Sequence, residues 1–107
     1  MKLIQAIIRQ EKLDEVVHKL ITITSGLTVS EVRGHGRQKG HPIVYRGVEY
    51  HLTLLPKVMI EIATDDNKVD DVIKALSDTA RTGEIGDGRI FILDVAESYH
   101  IRSGFMD

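Results

Sequence analysis

The chain has 107 residues, 42% of them apolar and 28% charged, with a formal net charge of −2 and no cysteine. That size suits one hydrophobic core and lies below the length at which chains divide into domains. The balance excludes a disordered chain, a nucleic-acid binder (which needs a basic surplus against the phosphate backbone) and any disulfide or zinc-thiolate scaffold. The opening MKLIQAIIRQ is too quickly charged for a signal peptide, and no apolar run nears the ~20 residues that span a bilayer. A cytoplasmic protein without direct membrane insertion is expected.

Residues 2–9 alternate, with Ile4, Ala6 and Ile8 on one face and Leu3, Gln5, Ile7 and Arg9 on the other, which predicts a strand apolar on both faces and hence central. From Glu11 the period lengthens. Leu13, Val16, Val17, Leu20 and Ile21 form one stripe of a helix, and Ser25-Gly26 is expected to stop it. Leu27 to Arg33 is strand-like, as is Val58 to Ala63, where Val58, Ile60 and Ile62 face one way. Asp65 or Asp66 can cap a second helix whose stripe is Val69, Val72, Ile73, Leu76 and Ala80, with Gly83 as its C′ residue. Ile90 to Val95 is a last strand. The order β-α-β-β-α-β predicts an α+β, ferredoxin-like sandwich with a long loop between strands 2 and 3. Two helices cover one sheet face only, so Leu3, Ile7, Met59, Phe91, Leu93 and Val95 on the other predict oligomerisation.

The loop region from Val32 to Lys57 carries Arg33, Arg37, Lys39 and Arg46, a local positive patch suited to a small polyanion. Loops this long inside small domains are usually functional. Gly34-His35-Gly36 and Gly86-Asp87-Gly88 are G-x-G pairs at strand ends. Glycines there allow positive φ and let backbone N–H groups cradle an anion, with Arg37, Lys39, Arg89 and Arg102 supplying charge. A plain tight turn is the alternative reading of either pair, and neither fits the Walker or Rossmann spacing. The five histidines offer no i, i+4 pair, so no dedicated metal site is expected.

Six segments then matter together: AIIR at 6–9, LDEV at 13–16, GHGRQKGH at 34–41, YRGVEY at 45–50, LPKVMIEI at 55–62 and ARTGEIGDGRIFILDV at 80–95. In this order, over nearly the whole chain, they resemble the PII nitrogen-regulatory signal-transduction family. The resemblance implies a single domain over 1–107, a homotrimer, and a mobile T-loop at 41–54. It implies ATP or ADP in clefts between subunits, Mg²⁺ with ATP, and 2-oxoglutarate beside the metal as effector. Gly34, His35, Gly36, Arg37, Gln38 and Lys39 would meet the nucleotide from one side, and Gly86, Asp87, Gly88 and Arg89, joined by His100 and Arg102, from the other. Thr28, Glu61 and Ile62 would surround base and ribose. Gln38 would ligate Mg²⁺. Lys57, Arg9, Lys39, Gly40 and Gln38 would hold 2-oxoglutarate. Tyr50 matches a uridylylated tyrosine, and Arg46 a loop arginine that plugs an ammonium-transporter channel.

The partners implied are an ammonium transporter or a nitrogen-metabolism enzyme, with recruitment to the membrane through the transporter, and no catalytic residue is implied. The sequence departs from the family pattern at His100, which replaces a second phosphate-binding arginine, at His35, which replaces an aromatic, and at Gln10, which replaces a proline. Those departures leave two other readings open. One is a divergent PII-like adenylate sensor for another transporter or a carbon-metabolism target. The other is a weak ATPase in which Glu61 or Asp87 orients water.

Overall fold

A computed structural model describes residues 1–35, 43–45, 48–50 and 54–104, the two short segments by their backbone alone. Strand β1 (Lys2–Ile8) leads through a 3₁₀ turn (Gln10–Lys12) into α1 (Leu13–Leu20), then β2 (Thr28–Gly34). Strands β3 (Ile43–Tyr45) and β4 (Val48–Tyr50) pair as a hairpin inside the segment expected to be the long loop. β5 (Leu55–Thr64), a second 3₁₀ turn (Asp66–Lys68), α2 (Val69–Ala80) and β6 (Gly88–Asp94) follow. The main sheet has the order β2-β5-β1-β6 and is antiparallel throughout, the ferredoxin-like α+β arrangement predicted.

The register explains the core. Ile4 stands opposite Ile62 and Ile92, Ala6 opposite Ile60 and Ile90, and Ile8 opposite Val58. Their shared face meets Val16 and Leu20 of α1 and Val72, Ala75, Leu76 and Ala80 of α2, and the residues of β1, β5 and the helices are buried there. Period 2 in the strands and period 3.6 in the helices place these groups on facing surfaces, where each large side chain contributes about 1.5–3 kcal/mol on burial. On the opposite face Phe91 and Leu93 remain more than 40% exposed, and Leu3, Ile7, Met59 and Val95 are partly covered.

Several local expectations need correction. α1 ends at Leu20, five residues before Ser25-Gly26, because the hydroxyls of Thr22 and Thr24 donate to the terminal carbonyls of Lys19 (2.7 Å) and Leu20 (3.3 Å). Ile21 therefore lies past the helix and is 58% exposed instead of completing the apolar stripe. Asp65 does occupy the N-cap position of the second 3₁₀ turn, but it caps through its backbone, its carbonyl accepting from the Lys68 N–H at 3.0 Å. Asp66 pairs with the N-terminal ammonium at 3.0 Å. α2 stops when Arg81 turns extended (φ −69°, ψ 130°), so Gly83, with φ 87°, belongs to the following loop and is no C′ residue. β5 also starts three residues earlier than its apolar run, at Leu55. Pro56 is tolerated there because β1 has already ended opposite Val58 and β5 has only β2 beside it.

Candidate functional site

One end of the sheet collects most of the polar chemistry. β1 finishes at Ile8, whose partners are Val58 of β5 and Gly88 of β6, so the next residues outward are Arg9, Lys57 and the loop at 82–88. On the other flank Val32 stands opposite Lys57 and Gly34 opposite Leu55, bringing the root of the long loop to the same end. A β-carbon on Gly34 would sit 3.7 Å from the Lys57 Cγ, an ordinary contact, and Gly34 does not have positive φ. Positive φ, one of the two reasons expected for a glycine there, is absent at Gly34. It is present at Gly86 (φ 101°) and Gly88 (φ 118°).

Arg9 and Lys57 are cationic groups with 15% and 8% of their surface exposed, respectively. The Lys57 ammonium donates to the Gly86 carbonyl at 2.9 Å. Burial, and next the Arg9 charge, push its pKa below the usual lysine value. Arg9 donates through Nη2 to the Ile85 carbonyl at 2.9 Å and through Nε to Asp87 at 3.2 Å, and its Nη1 stands 4.0 Å from Glu11. Asp87 also accepts the Thr82 N–H at 2.8 Å, the Gly83 N–H at 2.9 Å and the Thr82 hydroxyl. These donors, the Thr82 hydroxyl above all, hold its carboxyl well below the usual carboxylate range. Two sheltered cations thus stand beside two carboxylates, the partly covered Asp87 and the exposed Glu11, and an added anion would meet both cations at this end of the sheet. A cavity of about 330 Å³ opens beside the loop, lined among others by Ile8, Leu76, Ala80, Arg81, Asp87 and Arg89.

The remaining expected residues divide by position. Thr28 and Glu61 are register partners on the open face, four residues along β5 from Lys57, or roughly 13 Å at ~3.3 Å per residue. Glu61 accepts from Gln5 at 3.2 Å. Ile62 points the other way, 1% exposed beneath the helices, so it has only backbone to offer a ligand. Arg89 lies on the open face opposite Ile7, its guanidinium 5.6 Å from the Phe91 ring centroid. His35 is exposed, as are His100 and Arg102, which sit in a turn closed by the Gly104 N–H donating to the His100 carbonyl at 2.7 Å. Gly36, Arg37, Gln38, Lys39, Gly40 and Arg46 lie outside the described residues, and Tyr50 is described only as the backbone partner of Ile43. Thr82 was not anticipated. The signal was present in T-G-E-I-G-D, where a hydroxyl residue before glycine and an aspartate at the far end are typical of a loop that hydrogen-bonds itself.

Comparison with known proteins agrees over almost the full length. The family profile described as Nitrogen regulatory protein P-II matches residues 1–105. The chain is similar to Nitrogen regulatory protein P-II of Pasteurella multocida, 52% identical over 105 residues, covering 97% of this chain and 94% of the relative. It is 49% identical over 108 residues to Nitrogen regulatory protein P-II of Rhizobium etli and 51% identical over 108 to Nitrogen regulatory protein P-II 1 of Escherichia coli K12. Each of those two alignments covers 100% of this chain and 96% of the relative.

Proposed function

The chain belongs to the P-II family of nitrogen regulatory proteins, signal-transduction regulators of nitrogen metabolism, and from that premise we propose that it senses adenine nucleotide together with 2-oxoglutarate. The observation that carries the proposal is the meeting of Arg9, Lys57, the 82–88 loop and the root of the long loop at one sheet end. A dicarboxylate fits these two sheltered cations, with Lys57 as its point charge and Arg9 beside it. A polyphosphate fits the loop of positive-φ glycines, whose N–H groups can approach it closely. Gln38, the proposed Mg²⁺ ligand, lies outside the described residues.

The protein acts as a homotrimer whose clefts take ATP or ADP, and it reports their occupancy through the 41–54 segment to a transporter or a nitrogen-metabolism enzyme. Ordering or releasing such a segment on ligand binding is a known route from site to partner. It is cytoplasmic and regulatory, with no catalytic turnover of its own. Among the described residues no helix is long and apolar enough to cross a membrane.

Calorimetry tests this reading. 2-Oxoglutarate is expected to bind with Mg-ATP present and not with ADP, and an absence of binding under every nucleotide condition sinks it. ATP turnover at ~1 s⁻¹ or faster would overturn the regulatory assignment in favour of an enzyme.

A further inference from the structure

A carboxylate in a loop that receives phosphates presents a physical problem, because an uncompensated negative charge there repels the ligand. The geometry of Asp87 resolves it. Oδ2 accepts the N–H groups of Thr82 (2.8 Å) and Gly83 (2.9 Å), and Oδ1 accepts the Thr82 hydroxyl and Arg9 Nε (3.2 Å). The Thr82 oxygen in turn accepts the Glu84 N–H at 3.1 Å, and Arg9 holds the Ile85 carbonyl at 2.9 Å. Four successive residues, 82 to 85, are therefore fixed by one network with the carboxylate at its centre.

We propose that Asp87 is a positioning residue of this loop and not a ligand of the nucleotide: with Thr82 and Arg9 it holds residues 82–88 in the shape that presents the Gly86–Arg89 backbone to a polyphosphate. The inference rests on the reading of the loop as a nucleotide-phosphate site. Both carboxylate oxygens are turned back onto the loop, and the Arg9 guanidinium balances their charge. The depressed pKa keeps Asp87 ionised at neutral pH, where it remains an acceptor for all four donors. Preorganisation of this kind lowers the ordering cost of binding without any contact to the ligand.

The two roles give opposite signs for one measurement. A carboxylate pointing at phosphate repels it in the absence of metal, so Asp87→Asn would tighten metal-free ADP binding. A positioning carboxylate loses charge-assisted hydrogen bonds on the same change, and metal-free ADP and Mg-ATP should both weaken, by roughly tenfold. Thr82→Val should reproduce that loss with Asp87 still charged, Thr82→Ser should recover most of it, and the double variant Thr82→Val/Asp87→Asn should be no worse than either single one. Amide hydrogen exchange at Thr82, Gly83 and Glu84 without ligand supplies an independent measure, protected in the wild type and fast in both single variants. ADP affinity unchanged or tighter in Asp87→Asn overturns the positioning role alone, and so does unaltered exchange. A wild-type trimer that binds no adenine nucleotide overturns instead the reading on which it rests.

Discussion

At Gly88 a β-carbon would stand 1.8 Å from the Ile7 carbonyl oxygen, on a backbone with φ 118°. Neither strain nor overlap can be relieved without parting β6 from β1 at the Ile8–Gly88 pair. Gly83 is the useful contrast, since φ is 87° there but nothing lies within 4 Å of the added carbon. Gly83→Ala should cost only the left-handed backbone penalty, about 1–2 kcal/mol, and Gly88→Ala about 3 kcal/mol or more. Urea titrations of both variants would decide it, and equal losses would refute the steric argument. Lys57 makes a prediction of a different kind. Its folded pKa lies below the ordinary 10.5. Below the lowered value both folded and unfolded chains carry the proton, and the cost of burying the charge is felt in full. Between that value and 10.5 the unfolded chain binds more protons, so stability rises with pH, and above 10.5 the cost has gone. The stability difference between wild type and Lys57→Met should therefore shift toward the wild type as pH rises through that window. A flat difference in denaturation midpoints would mean that burial does not burden the ammonium.

The elements succeed or fail according to how much of their cause is local. Ile60 is fully buried on a central strand and Ile21 lies just beyond α1 at 58% exposure, although both belong to apolar patterns in the sequence. Ile60→Ala should cost about 2–5 kcal/mol and Ile21→Ala about 0.5 kcal/mol or less, as measured by chemical denaturation. A large loss at Ile21 would restore it to the helical stripe. Element order and the inward face were legible because the alternation of residues 2–9 and 58–63 and the 3.6-residue stripes of the two helices agree with one another. That same alternation places the Ile62 side chain with Ile60 and Val58 toward the helices, where the structure puts it, so a place beside base and ribose would fall to its backbone. The helix ends were less legible, because they are set by threonine hydroxyls and by Arg81 turning extended, events involving one or two residues with no period. In the candidate site, Arg9 and Lys57 could be named from sequence. Their meeting with Thr82 and Asp87 could not, because it depends on the β1–β5 and β1–β6 registers, which bring Arg9 to Asp87 across 78 positions.

For the whole molecule the open sheet face decides the most. The helices cover one side, and on the other Leu3 stands opposite both Ala63 and Leu93, Ile7 opposite Met59 and Arg89, and Phe91 beside the hydrogen-bonded Gln5–Glu61 pair. Phe91 and Leu93 are 43% and 41% exposed in the single chain, a contiguous apolar surface that a solitary domain in water would have reason to bury. The polar Gln5–Glu61 pair in its midst adds direction, since a buried hydrogen-bonded pair restricts the registers in which copies of the face can meet. Leu93→Asp puts a charge where the proposed homotrimer would exclude water, at a cost of several kcal/mol for each subunit. Because Leu93 lies outside the core under the helices, the monomer should keep its fold. Sedimentation should show a trimer for the wild type and a monomer of unchanged helical circular dichroism for Leu93→Asp. ADP binding should disappear with assembly, since the proposed cleft takes one wall from each of two subunits. A trimeric Leu93→Asp would place the interface elsewhere, and a monomeric variant that still binds ADP would mean that one chain holds the nucleotide site unaided.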